Sequence, residues 1–194
     1  MKVTVSLGSA ALVCCLSPIC TAGDERSQPA APIAPTFRAV AVETHKLVPL
    51  PYDAGLVKFI ATSKETAGTS AVVELTEMPG YKTAWHQHNN CEEAFYVIEG
   101  TLTIRVLDKT YTLPEGSYVL IPRGTPHGQG NFTSKPVRLL TTFTPGGFEE
   151  FFLDRVALYK SIKPGAPTFQ AALDALRAKH SRWVQILGTW DIGQ

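Results

Sequence analysis

Short runs of β-branched and aromatic residues follow one another through the middle of the chain, alternating with polar positions. They occupy 37–42, 56–61, 70–77, 81–88, 94–98, 102–107, 110–113, 118–121 and 137–143. A period of two puts one face of each run on a core and the other toward water. Pro79-Gly80, Glu99-Gly100, Asp108-Lys109 and Glu115-Gly116 supply the turns between them. Many short strands with no helix between them predict an all-β sandwich or barrel.

The pattern changes at Gly147. Gly147 to Phe152 begins a helical stretch, and the loop Pro164 to Pro167 leads to Thr168, which offers an N-cap. Phe169, Ala172, Leu173, Leu176 and His180 then share one helical face. Residues 37–146 are thus predicted as a β-barrel and 147–194 as a helical extension packed on it. His180 reads as a cation at a helix C-terminus, not a ligand. His45 lies in a polar loop with no partner.

The start of the chain has a different character. Lys2 precedes the apolar stretch Val3 to Leu16, and the small residues Cys20-Thr21-Ala22 stand before acidic Asp24 and Glu25. This is the pattern of a secretory signal over 1–22, too short for a membrane span of about 20 apolar residues. The expected product is secreted, extracellular or periplasmic, with no membrane attachment after cleavage near Ala22. Ser17-Pro18-Ile19 lacks the small residue expected before a lipidated Cys20. Residues 23–36, rich in Pro and Ala, read as a flexible arm.

Cleavage would remove Cys14, Cys15 and Cys20 and leave Cys91 alone, so the mature chain could form no internal disulfide. Cys91 reads as a small buried hydrophobe. The formal net charge is +1 with no basic stripe, which argues against nucleic acid as a partner.

Candidate chemistry concentrates in Gly80 to Gly100 and Gly116 to Asn131. His86 and His88 lie one residue apart on a strand, so both imidazoles share a face with Cα atoms about 6.6 Å apart. Glu93 opens the returning strand, and His127 follows a Pro-Arg-Gly-Thr-Pro turn. Three neutral imidazoles and one carboxylate suit one divalent ion, leaving roughly two octahedral positions open. Fe(II), Mn(II), Ni(II), Co(II), Cu(II) and Zn(II) are not distinguished by such a set.

Strand parity puts Phe95 and Val97 on the face of Glu93, and Gln129 and Asn131 on the face of His127. Val137, Leu139, Thr141 and Phe143 form one face of the last strand, whose direction parity leaves open. Phe95, Val97, Gln129, Asn131 and Phe143 are therefore the candidate substrate pocket. Trp85 and Gln87 should face away. This lining favours a flat, apolar or aromatic ligand and lacks the several Arg and Lys expected of a phosphosugar or sugar-nucleotide enzyme. Asn131-Phe132-Thr133 spells a glycosylation sequon, but an inward Asn131 would carry no glycan.

The two stretches resemble the paired motifs of the cupin superfamily. G-x5-H-x-H-x4-E-x6-G is met by Gly80, His86, His88, Glu93 and Gly100; G-x5-P-x-G-x2-H-x3-N is met by Gly116, Pro122, Gly124, His127 and Asn131. Chance occurrence of the second pattern is on the order of 10⁻⁴ per chain, so the match is a signal. The resemblance implies a jelly-roll barrel, a double-stranded β-helix, with the metal inside. The short spacer between Gly100 and Gly116 and the stretch TPGGFEEFF resemble small single-domain cupins of the quercetin 2,3-dioxygenase-like kind. That likeness implies a homodimer and an O₂-dependent oxidoreductase acting on a small aromatic, phenolic or enolic metabolite, with Glu93 as base. Alternatives within the resemblance are a metal-dependent isomerase, lyase or decarboxylase, or a secreted binding or germin-like storage cupin. The missing disulfide weighs against the germin-like reading.

Overall fold

A computed structural model describes residues 39–191. The signal-like segment 1–22 and the arm 23–36 lie outside the described residues. In chain order the elements are β1 (Leu50–Tyr52), β2 (Gly55–Ala61), β3 (Ala71–Glu77), β4 (Trp85–His88), β5 (Glu92–Glu99), β6 (Thr101–Val106) and β7 (Lys109–Pro114). They continue with β8 (Tyr118–Ile121), β9 (His127–Gly130), β10 (Val137–Thr144), α1 (Glu149–Ser161), α2 (Phe169–Lys179) and β11 (Val184–Gly188).

The strands form two antiparallel sheets, one ordered β1-β2-β3-β10-β5-β8 and the other β11-β4-β9-β6-β7. Period-two burial is clearest in β10, where Val137, Leu139, Thr141 and Phe143 are all fully buried. That settles which face of the last strand points inward. Phe95 and Val97 from β5, Leu102 and Ile104 from β6, and Val73 and Leu75 from β3 join them in one core. The fold is mostly β with C-terminal helices, as the hydrophobic pattern predicts.

Three short strands escaped that pattern. β1 carries Pro51, tolerated because this strand lies at a sheet edge where no ladder N–H is needed. β9 reads His-Gly-Gln-Gly, a poor strand former held by pairing with β6 and β4. The third, β11, replaces the expected all-helical end of the chain: it joins β4 in the sheet. Conversely, residues 39–42 of the expected first strand are not a strand, and Val40 and Val42 are exposed. Their alternation finds no neighbouring strand to pair with. Residues 81–84 pair only through a single Lys82–Gly130 bridge, so β4 is shorter than the expected 81–88.

α1 is fixed through Glu149, which is buried and accepts from Ser63 N and Gly147 N, both at 2.6 Å. An acidic residue in the first helical turn also opposes the positive end of the helix dipole. Thr168 stands at the N-cap of α2 but makes no side-chain capping bond. The apolar face of α2 turns inward at Leu173 and Leu176. His180 lies at its C-cap, with Nε2 2.6 Å from Asp154 Oδ2.

Beyond α2 the chain is clamped by two tryptophans. Trp183 lies against Gly147, which has φ +133°, and a Cβ there would come within 2.3 Å of the indole. Trp190 lies against Gly128, where a Cβ would meet it at 2.3 Å, and its Nε1 donates to Thr83 O at 2.9 Å. Glycine at both places makes room for a large ring.

Candidate metal centre

β4 supplies His86 and His88, β5 supplies Glu93 and β9 supplies His127. Antiparallel pairing sets His86 directly opposite His127. All four side chains are buried. One ligand atom from each lies within 4.8 Å of the others. Ligands about 2.0 to 2.2 Å from one ion can be at most about 4.4 Å apart, so the quartet closes on a cation with shifts of a few tenths of an ångström.

Each imidazole is oriented by the main chain. His86 Nδ1 lies 2.8 Å from Ala84 O, His127 Nδ1 2.9 Å from Thr125 O, and His88 Nδ1 3.2 Å from Trp183 O. A carbonyl can only accept, so each Nδ1 carries a proton and each Nε2 is left as the atom free for Glu93 or for an incoming ion. This is how metal-binding histidines are held. Glu93 Oε2 sits 2.9 Å from His127 Nε2 and 3.3 Å from His88 Nε2.

The electrostatics favour ligation. Burial, reinforced by the neighbouring His127 and His88, pushes the His86 imidazole down to about 3. Burial alone would raise the Glu93 carboxyl. His88 and His127 together outweigh it and hold the group well below the usual carboxylate range. His86 is therefore neutral and Glu93 ionised near pH 7. His88 Nε2 is buried without a hydrogen-bond partner, a costly orphan that a cation would satisfy. The residues fit the group: His86, His88, Glu93 and His127 could bind one metal ion, and the donor set does not select which.

A cavity of about 110 Å³ opens onto three of these ligands, His86, His88 and Glu93. His127 is fully buried and does not line it. The walls differ from the expected lining. Of the five pocket residues expected from parity, only Gln129 lines the cavity. Phe95 and Val97 point inward but are fully buried core. Phe143 packs on Phe148 at 5.0 Å between ring centroids. Asn131 spends its amide on the carbonyls of Glu77 (2.9 Å) and Lys135 (2.7 Å), so the sequon asparagine is part of a turn.

The actual walls are Phe148, Phe151 and Phe152 from the start of α1, Tyr81, and Val184 and Ile186 from β11. Strand parity could not reach the phenylalanines, Val184 and Ile186, which come from outside the motif strands, and Tyr81 lies ahead of β4 where parity does not apply. Phe148 approaches His88 edge-on at 4.4 Å. Lys82, Arg155 and Arg177 also line the cavity. The expectation of a lining without cations is therefore wrong; two of the three come from the helices. Cys91 is fully buried, and burial pushes its thiol up to about 12, in keeping with a small apolar filler. His45 is exposed beside Glu43.

The comparisons with known proteins agree with this architecture. The Cupin_2 family, described as a cupin domain, matches residues 73–143. The similarity to a cupin domain thus covers little more than a third of the chain. The matched span contains all four candidate ligands. A quercetin 2,3-dioxygenase of Bacillus subtilis is 29% identical over 97 residues, 50% of this chain but only 28% of that enzyme. The chain thus spans little more than a quarter of that relative's length. An uncharacterised protein of Methanocaldococcus jannaschii is 24% identical over 112 residues, covering 57% of this chain and 90% of the relative. Among solved structures, KdgF from Halomonas sp. aligns with a TM-score of 0.51 at 17% identity, over 56% of this chain and 94% of that one. A predicted oxalate decarboxylase from Thermotoga maritima aligns at 0.51 and 13% identity, over 54% and 98%. Both likenesses concern the cupin fold.

Proposed function

We propose that this cupin is a metal-dependent oxidoreductase of the dioxygenase kind, acting on a compact aromatic, phenolic or enolic metabolite. The observation that carries the reading is the cavity itself: two imidazoles and one carboxylate at its floor and a cluster of phenyl rings at its wall. A closed structural site would expose no ligand to a cavity. The partial match to a quercetin 2,3-dioxygenase supports the same reaction class.

A bound divalent ion would act as a Lewis acid for a substrate oxygen and bring O₂ chemistry within reach. The chain's own residues do the rest. His86, His88 and His127 present oriented lone pairs, and Phe148, Phe151 and Phe152 exclude water and contact an apolar ring. Glu93, ionised and facing the cavity, takes the proton of a substrate hydroxyl when it is released from ligation. At about 110 Å³ the cavity suits a ligand well below drug size.

Oxygen uptake by metal-loaded protein over a panel of compact phenols and enols tests the proposal. Consumption coupled to loss of one panel member is the expected result. Neither oxygen uptake nor change in any member would overturn it. A second reading, a metal-dependent isomerase, lyase or decarboxylase, draws support from Lys82, Arg155 and Arg177 at the cavity. Turnover that persists under anaerobic conditions favours that reading.

Export directed by residues 1–22 belongs to the same proposal, supported by their apolar pattern. So does a homodimer, supported by exposed Tyr96, Tyr118 and Leu120 on β5 and β8. Among the described residues no helix is long and apolar enough to cross a membrane.

A further inference from the structure

Arg155 stands at the cavity wall, on the helix that also supplies Phe151 and Phe152. Its Nη2 donates to Asp53 Oδ2 at 2.7 Å, and its side chain is only 13% exposed. The guanidinium lies over the rings of Tyr52 and Phe151, 5.6 Å and 5.5 Å from their centroids. Aromatic faces and one carboxylate therefore hold the fork in a single place, without using all five of its N–H donors. The Nε–H is buried and has no acceptor among the described residues. A buried charged donor left unpaired is costly and calls for a missing partner.

The other charges at the cavity point the same way. Lys82 and Arg177 add positive charge, while Asp53 and Glu93 are the acidic side chains of the lining. Asp53 is already engaged by Arg155, and Glu93 by the imidazoles. Lys82 and Arg177 pair with Asp191 (2.9 Å) and Asp174 (3.2 Å), both well exposed and thus weak competitors for an incoming anion. With a divalent ion at the floor the cavity carries excess positive charge from floor to mouth. A neutral phenol or enol leaves that charge unanswered.

We propose that Arg155 is an anion subsite, and that the natural substrate is a compact carboxylate whose enol, phenol or keto oxygen faces the His86–His88–Glu93 floor. Arg155 receives the carboxylate by charge-assisted hydrogen bonds, and Asp53 keeps the fork oriented. The assignment deepens the reading given under Proposed function and rests on its placing of the substrate oxygen at the metal ligands. It requires no particular reaction: an oxygenase and a decarboxylase would need the same anchor.

The test uses zinc-loaded, redox-inert protein and two matched probes that both enolise, acetylacetone and its carboxylate counterpart acetopyruvate. Calorimetry should show acetopyruvate binding about tenfold to a hundredfold tighter to the wild type, as expected for a charge-assisted pair. Arg155→Gln should reduce that advantage to near parity, because acetopyruvate loses far more affinity than acetylacetone. Arg155→Lys, which keeps the charge and guards against loss of the fold, should retain part of it. Equal binding of the two probes to the wild type overturns the proposal, and does so even if no variant folds. An advantage that survives Arg155→Gln also overturns it, because the carboxylate would then be held by the ion alone. Absence of oxygen uptake, with the carboxylate preference intact, counts against the dioxygenase reading and leaves the anion subsite standing.

Discussion

The Nδ1 of His88 is held by the main-chain carbonyl of Trp183 at 3.2 Å, 95 residues further along the chain. The same carbonyl accepts from Asn89 N at 3.2 Å. A candidate ligand is thus oriented by the segment that follows the second helix, and that segment is seated by Trp183 against Gly147. The C-terminal extension is part of the metal centre's support as well as a cover for the barrel.

Gly147→Ala should therefore weaken metal binding. The added Cβ would come within 2.3 Å of the Trp183 ring at a positive φ, so the tryptophan and its carbonyl must shift. Loss of an outer hydrogen bond to a ligating histidine costs about tenfold to a hundredfold in affinity. Competition with a chelating dye measures it. A folded variant with wild-type affinity contradicts the supporting role.

Phe148→Ala and Phe95→Ala should part company. Phe95 is fully buried in the core, so its truncation costs about 3 to 5 kcal/mol of stability and acts on ligand binding only through the fold. Phe148 lines the cavity and touches His88, so its truncation should weaken binding of an aromatic probe with a smaller fall in melting temperature. Thermal melts and probe titrations on both variants decide the matter. The reverse pattern would return Phe95 to the pocket.

Glu77 gives a pH prediction. It is fully buried, Gln129 Nε2 donates to its Oε1 at 3.4 Å, and Oε2 has no partner. Burial pushes the carboxyl up to about 8 from an ordinary 4.5. Between pH 4.5 and 8 the folded chain keeps a proton that the unfolded chain has released. Its contribution to stability is thus fully present below 4.5 and lost as pH rises toward 8. Glu77→Gln, which preserves shape and a hydrogen-bonding carbonyl, should be more stable than the wild type at pH 8, by on the order of a few kcal/mol. Denaturation of both proteins at pH 5 and 8 checks this, and a wild type equally or more stable at pH 8 counts against it.

His86 acts in the opposite sense in the metal-free protein. Its imidazole is held near 3 against an ordinary 6.5, so below 6.5 the unfolded chain takes a proton that the folded chain refuses. Stability should fall by up to about 2 kcal/mol from this group between pH 6.5 and 5. Bound metal adds stability but leaves this fall in place, since it also requires the neutral ring. Denaturation of the metal-free protein at pH 6.5 and 5 checks this, and a stability that does not fall between them would contradict it.

Much of this organisation was legible in the sequence, and the failures share a cause. The histidine pair, Glu93 and His127 could be found because strand parity and fixed turn spacing act locally, and the two sheets carry those local rules into space. Gln129 followed from the same parity. Phe148, Phe151, Phe152 and Arg155 were missed as cavity residues because their place depends on where a helix folds back onto the barrel. β9 and β11 escaped because their pairing partners are remote in sequence, and β9 contains two glycines where Trp190 and Tyr81 approach. Phe95 and Val97 show the limit of parity: pointing inward separates neither core from pocket nor top from bottom of a barrel.

The central claim is that His86, His88, Glu93 and His127 hold one divalent ion. Metal analysis of natively purified wild type and His127→Ala tests it most directly. The account predicts close to one divalent ion per chain in the wild type and loss of most of it in His127→Ala, with Glu93→Ala losing less because water replaces a carboxylate more easily than an oriented imidazole. A folded His127→Ala protein that keeps stoichiometric metal, or a wild type that takes up none when supplied with Fe(II), Mn(II), Ni(II), Co(II), Cu(II) or Zn(II), would contradict it.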